Sequence, residues 1–275
     1  MKQKTMLWVV AAIMLFFAAC DKRKDPASVI DDSLRCQLFG DCQGNTTFGM
    51  VGDSWTDFAL GLPVLVDLYD QLTEVHGYRI TASNLAGLTL RTEWESRRGF
   101  ERVIHNGGPN MRYMLLSLGG NDMIASEGEY SNNPENIASV RLASYESRLR
   151  LLIMNGDLLK QSLYGGEPLT WIIHGYDYLN PLKENSCVDN YSQGPSSITQ
   201  NQLPEYILNQ FNARLQYLTT QIPNLRYIDA RGTLGGPPYS YDSLMLDCIH
   251  PNNEGFALYA AAYATRLSLL TGGAR

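Results

Sequence analysis

Ser54, Asp247 and His250 are the residues whose types and spacing could do chemistry together. Ser54 closes Gly52-Asp53-Ser54, directly after the apolar run Phe48, Met50, Val51. A serine at the carboxyl end of a buried strand can present a bare hydroxyl, and Gly52 lets the chain turn sharply there. A hydroxyl attacks poorly until a neighbouring base takes its proton. Unperturbed histidine, titrating at about 6.5, accepts and returns a proton near neutral pH. His250 is the candidate base, because Asp247 stands three residues before it, where one turn of chain brings a carboxylate toward the imidazole. The chemistry implied is acyl transfer through serine.

Residues so far apart in the chain need a scaffold that returns their segments to one edge. From Thr47 onward, short apolar runs alternate with longer stretches of helical pattern, which argues for parallel strands joined by crossover helices. The runs predict strands at Thr47–Val51, Tyr78–Asn84, Arg112–Leu118, Leu169–His174 and Arg226–Asp229. Helical spacing is predicted over Phe58–His76, Ile137–Leu163, Leu203–Gln221 and Asn253–Leu270. The fold class expected is α/β, a three-layer α/β/α sandwich around a mostly parallel, five-stranded sheet. In such a sheet the strand ends converge on one edge, where ligands bind. Ser54, Gly87, Asn121, Asp177 and the segment around His250 all follow a strand or lie in the last loop. The stretch 178–204, rich in Asn, Ser, Gln, Gly and Pro, is expected to be a long loop overhanging that edge.

At 275 residues, the chain suits one sizeable core and falls short of two domains. A formal net charge of -6 argues against a nucleic-acid partner. Residues 1–20 read as an export signal: Lys2 and Lys4, then an apolar stretch from Met6 to Phe17, too short to span a membrane comfortably. Ala18-Ala19-Cys20 resembles a bacterial lipobox, with Cys20 the lipidation site, although Phe17 departs from the usual leucine and plain secretion stays open. Residues 21–44 are expected to form a tether and N-terminal arm, and 45–275 the domain. Cys36, Cys42, Cys187 and Cys248 are an even set for an oxidising compartment. They allow three pairings, of which closeness favours Cys36 with Cys42, leaving Cys187 with Cys248.

The pattern resembles the SGNH, or GDSL-type, hydrolase family, in four blocks across nearly the whole domain. Gly52-Asp53-Ser54 matches the first, with Trp55 in place of the commoner leucine. Ala86-Gly87-Leu88-Thr89 matches the glycine block, and Gly119-Gly120-Asn121-Asp122 the asparagine block. Asp247-Cys248-Ile249-His250-Pro251-Asn252 matches the last. The resemblance implies a flavodoxin-like fold and an ester hydrolase with Ser54 as nucleophile, His250 as base and Asp247 orienting it. Its oxyanion hole would be the N–H groups of Ser54 and Gly87 and the side chain of Asn121, and a backbone carbonyl can share the task of Asp247. Asp53, Tyr176, Asp177 and Tyr178 are candidate substrate-binding residues, the last three from His174-Gly175-Tyr176-Asp177-Tyr178 at the active edge.

No cofactor or metal is expected: His-Glu-x-x-His, Cys-x-x-Cys and a phosphate-cradling Gly-rich loop are all missing from the sequence. A nucleophile-elbow hydrolase fits less well, because the last glycine of Gly-x-Ser-x-Gly is missing and the serine follows the first strand. The expected substrate is a lipid, short-chain or glycan ester, acted on by a monomer that is periplasmic, held at the cell surface by lipid, or secreted. A rival from another class is a non-catalytic surface lipoprotein that uses the fold to bind glycan or lipid.

Overall fold

Strands form where β-branched, aromatic and long apolar residues run without interruption, because both faces of a parallel sheet are covered. In the computed structural model buried runs give the inner strands β1 (Phe48–Gly52), β3 (Tyr113–Ser117) and β4 (Thr170–His174), while the edge strands β2 (Ile80–Ala82) and β5 (Leu225–Ile228) include exposed residues. The structure describes residues 46–58, 65–124, 130, 133–183 and 198–275, which lie within one compact unit, Gly44–Arg275. The expected leader, tether and lipidation at Cys20 lie outside the described residues, as do Cys36, Cys42, Cys187 and the middle of the 178–204 stretch.

All four strand pairings are parallel, in the order β2-β1-β3-β4-β5. This is the doubly wound, flavodoxin-like order, and it reverses direction between β1 and β3, where a crevice opens beyond the carboxyl ends of the strands. The register sets Gly52 opposite Ser117. Residues just past these two therefore face one another across the crevice.

One face is covered by α1 (Leu68–Asp70, continued as a π-helical turn Gln71–Val75) packed on a late helix. The other is covered by α2 (Leu90–Thr92, continued as a π-helical turn Glu93–Arg97), α3 (Gly99–Gly107), α4 (Gly120–Ile124), α5 (Pro134–Tyr164) and α6 (Leu203–Leu218). The late helix is α7 (Asn253–Thr271). Asn133 and Asn252 cap α5 and α7, accepting from the N–H groups of Asn136 and Gly255, and each satisfies a donor the helix start leaves open. Phe48, Met50, Leu115, Leu116, Ile172 and Ile173 fill the sheet's core, all essentially inaccessible to water. Among the described residues, no helix is long and apolar enough to cross a membrane.

Helices α2 and α3 fall where no element is expected from the sequence. The charged run Glu93-Trp94-Glu95-Ser96-Arg97-Arg98 hides α2, whereas α3 carries a short apolar stripe of Phe100, Val103, Ile104 and Gly107 at helical spacing. The folded chain buries Glu93, which accepts from the N–H of Phe100 at 2.6 Å and from Arg97 at 3.1 Å, and turns between the helices at Arg98 in a left-handed conformation.

Candidate active site

The chain leaving β1 makes a tight turn in which the N–H groups of Thr56 and Asp57 donate to the carbonyl of Asp53. Ser54 sits on that turn, partly accessible, beyond the sheet edge. The role of Gly52 differs from the expectation of a sharp bend. It is the last residue of β1, and a Cβ there would lie 2.0 Å from Thr56 Oγ1 and 3.0 Å from Ser117 Cβ. Glycine is required for close approach rather than for turning.

His250 closes on this turn from the far end of the chain. Its Nε2 lies 2.8 Å from Ser54 Oγ, and its Nδ1 lies 2.8 Å from Asp247 Oδ2. Asp247 Oδ1 also accepts from the N–H groups of Ile249 and His250, so one carboxylate both shapes the loop and orients the ring. Burial opposes ionisation of Asp247, but its interaction with the His250 ring and the hydrogen bonds from the N–H groups of Ile249 and His250 outweigh it and hold the carboxyl below its ordinary range. Phe58 packs on the imidazole with ring centroids 4.2 Å apart.

Trp55, which appears in the sequence only as a departure from leucine, joins the two halves. Its indole N–H donates to the carbonyl of Ile249 at 3.2 Å. Its ring is buried among Tyr176, Phe256 and Tyr259 with centroids 5.0 to 5.8 Å away. A leucine could fill part of that space but could not hold the histidine loop by a hydrogen bond.

Asn121, at the start of α4, faces Ser54 across the crevice, and its side-chain amide donates to the carbonyl of Leu88 at 3.0 Å. An amide nitrogen carries two hydrogens. The second is left for the cavity that Asn121 lines. Asp122 reinforces the link, accepting from the N–H groups of Leu90 and Arg91 at 2.7 and 3.3 Å. Gly87 lies in the loop thus tethered, with a φ of 75° that glycine adopts freely, and the same loop is tied to β1 by the N–H of Leu85 donating to Gly52. Gly87 itself does not line the cavity.

The cavity holds about 100 Å³ and is bounded by Ser54, Trp55, Gly120, Asn121, Tyr176 and His250, with Asp53, Ile124, Leu179 and Ile249 completing it. Of the four residues assigned to substrate binding, Asp53 and Tyr176 are in its wall. Asp177 and Tyr178 are not. Asp177 is fully buried and accepts from the N–H groups of Tyr178, Gly232 and Leu234, each at 2.7 Å, so it clamps a loop. Tyr178 turns away to donate to Asn209. His174 lies behind Trp55, bonded to Tyr259, and burial lowers its pKa to about 4, which keeps it neutral.

Asp53 is the unexpected titratable group. It accepts from the hydroxyls of Tyr176 and Ser117 and from the N–H of Trp55. Burial outweighs those bonds and raises its pKa to about 7. A carboxyl whose pKa is higher folded than unfolded holds its proton more tightly in the native state, so its contribution to stability is full below about pH 4 and is lost as pH rises toward about 7. Asp53→Asn has no charge to bury. Its stability relative to the parent should rise by at least ~1.4 kcal/mol, the worth of one pKa unit, between about pH 5 and about pH 8. Paired thermal melts measure this, and a gap that stays constant with pH would refute it. Asp67, raised by burial to about 7 as well, is present in both proteins and cancels.

Cys248 is disulfide-bonded, and its partner lies outside the described residues. Among the described residues, no three or more His, Cys, Asp or Glu side chains converge as metal ligands would.

No family model matches the chain, and neither does any curated protein. Solved structures do match. A candidate acylhydrolase from Bacteroides fragilis is 12% identical with a TM-score of 0.55, the alignment covering 90% of this chain and 99% of that one. A lipase from a goat rumen metagenome is 16% identical with a TM-score of 0.52, covering 83% and 98%. A candidate GDSL-like lipase from Parabacteroides merdae is 14% identical with a TM-score of 0.52, covering 82% and 97%. At such identities the likeness speaks for architecture, and the strand order and layers described above agree with it: this chain has the fold of the GDSL-type, or SGNH, hydrolases.

Proposed function

We propose that this protein is a serine hydrolase of short-chain carboxylic esters. The observation that carries the reading is the unbroken line from Ser54 Oγ to His250 Nε2 and from Nδ1 to Asp247, 2.8 Å at each step, opening into a cavity. As Ser54 Oγ attacks the ester carbonyl, its proton passes to Nε2 and the imidazolium is stabilised by Asp247. The negative oxygen of the tetrahedral intermediate meets the second amide hydrogen of Asn121 and the N–H of Ser54, both on the cavity wall, while the N–H of Gly87 would have to approach from the loop beside it. Collapse expels the alcohol, protonated by His250. Water, deprotonated by the same nitrogen, then releases the acid and restores Ser54.

The acyl group is short, because about 100 Å³ is well below the roughly 300–1,000 Å³ of sites that enclose larger ligands. The leader and Cys20 support an exported enzyme tethered to a membrane by lipid. A fluorophosphonate probe should label the parent and not Ser54→Ala. On p-nitrophenyl esters kcat/KM should fall at least about tenfold from acetate to octanoate, about what the misfit of a few methylenes in a tight pocket costs. A folded protein with neither labelling nor turnover would leave the binding-module reading instead.

A further inference from the structure

A second cavity, of about 740 Å³, is walled by Asn180, Leu182, Lys183, Tyr239, Tyr241 and Asp242. Consecutive residues line the two. Leu179 lines the catalytic cavity and Asn180 the second, while the N–H of Asn180 donates to the carbonyl of Cys248 inside the triad loop. We propose that this second cavity binds a neutral sugar chain, the leaving-alcohol side of an ester whose short acyl group sits at Ser54. The proposal rests on the esterase reading for its acyl end only.

The lining selects that chemistry. Tyr241 is 64% exposed, and its ring lies against Gly235, where a Cβ would come within 2.9 Å, so one face is seated and the other is offered to a ligand. Tyrosine rings supply rigid apolar faces with a hydroxyl at the tip, which suits the apolar face and hydroxyl rim of a sugar. Lys183 and Asp242 form an ion pair at 3.2 Å. Their charges cancel, so neither a phosphate nor a cation is attracted, yet both retain hydrogen-bonding capacity for hydroxyls. An acyl chain laid here would cover polar groups without offering them a hydrogen bond, which a sugar hydroxyl does. The volume falls within the range of ligand sites, unlike that around Ser54.

Asp177 then has a purpose that its place in the sequence does not reveal. By holding the N–H groups of Gly232 and Leu234 it braces the loop that carries both tyrosines, and the N–H of Tyr241 in turn donates to Leu234.

The test separates sugar binding from catalysis. Xylo-, cello-, manno- and chitotetraose are titrated into Ser54→Ala, followed by NMR line broadening of the sugar, and their O-acetylated forms are offered to the active protein beside p-nitrophenyl acetate. At least one tetrasaccharide should bind. Adding Tyr241→Ala should weaken that binding about tenfold, Tyr241→Phe should restore most of it, and Asp242→Ala should weaken it independently. In the active protein Tyr241→Ala should lower kcat/KM on the acetylated sugar about tenfold more than on p-nitrophenyl acetate. Sugar binding without any ester turnover would keep the subsite and remove the esterase reading. Turnover with no tetrasaccharide bound, or binding indifferent to Tyr241 and Asp242, would overturn the subsite, as would an acyl chain competing for the cavity.

Discussion

His250→Ala should reduce kcat on p-nitrophenyl acetate by roughly four to six orders of magnitude, and combining it with Ser54→Ala should cost almost nothing more. The reason lies in how the two groups are joined. The hydroxyl and Nε2 share one proton across 2.8 Å, so removing either partner removes the same event, and such losses do not add. What remains would come from binding and from the oxyanion donors, which do not involve the imidazole. Asp247→Ala should cost less than His250→Ala, because the base itself survives. It should also loosen the loop, since the carboxylate that orients the ring also receives the N–H groups of Ile249 and His250. Purified variants assayed beside their melting curves decide the matter. A double variant at least a hundredfold slower than either single one would mean that Ser54 and His250 act in separate steps.

Much of the scaffold was legible because buried parallel strands must be apolar on both faces. Phe48-Gly49-Met50-Val51 and Trp171-Ile172-Ile173 could hardly be anything else beside polar, helically patterned neighbours. The order of the strands was not legible, since nothing in β1 announces that it will pair with both β2 and β3. Yet that order creates the crevice where Ser54 and Asn121 meet. That Ser54, His250 and Asp247 meet could be read from residue type and the short spacing of Asp247 and His250. Supporting contacts could not, because they depend on which backbone groups arrive nearby. Asp177 looks in the sequence like a ligand-binding carboxylate, and only the folded chain brings three N–H groups to claim it. Trp55 likewise gains its meaning from Ile249, nearly at the other end of the chain.

The Leu88 tether makes Asn121 the sharpest test of the proposed oxyanion site. Asn121→Ala removes a donor aimed at charge that exists only in the transition state, so it should lower kcat by two to three orders of magnitude, roughly 3 kcal/mol of barrier, and leave KM near its parent value. Its second loss is the bond to the carbonyl of Leu88, worth ~1 kcal/mol of stability. Asp122 still holds Leu90 and Arg91, so the loop carrying Gly87 should stay in place. A purely structural role for Asn121 would move the measurements differently: KM and the melting temperature would shift together while kcat fell only modestly. Fluorophosphonate labelling gives a second reading, because phosphonylation of Ser54 also builds a negative oxygen in the same place. Its rate should fall in step with kcat/KM, and a variant labelled at the parent rate would take Asn121 out of the oxyanion hole.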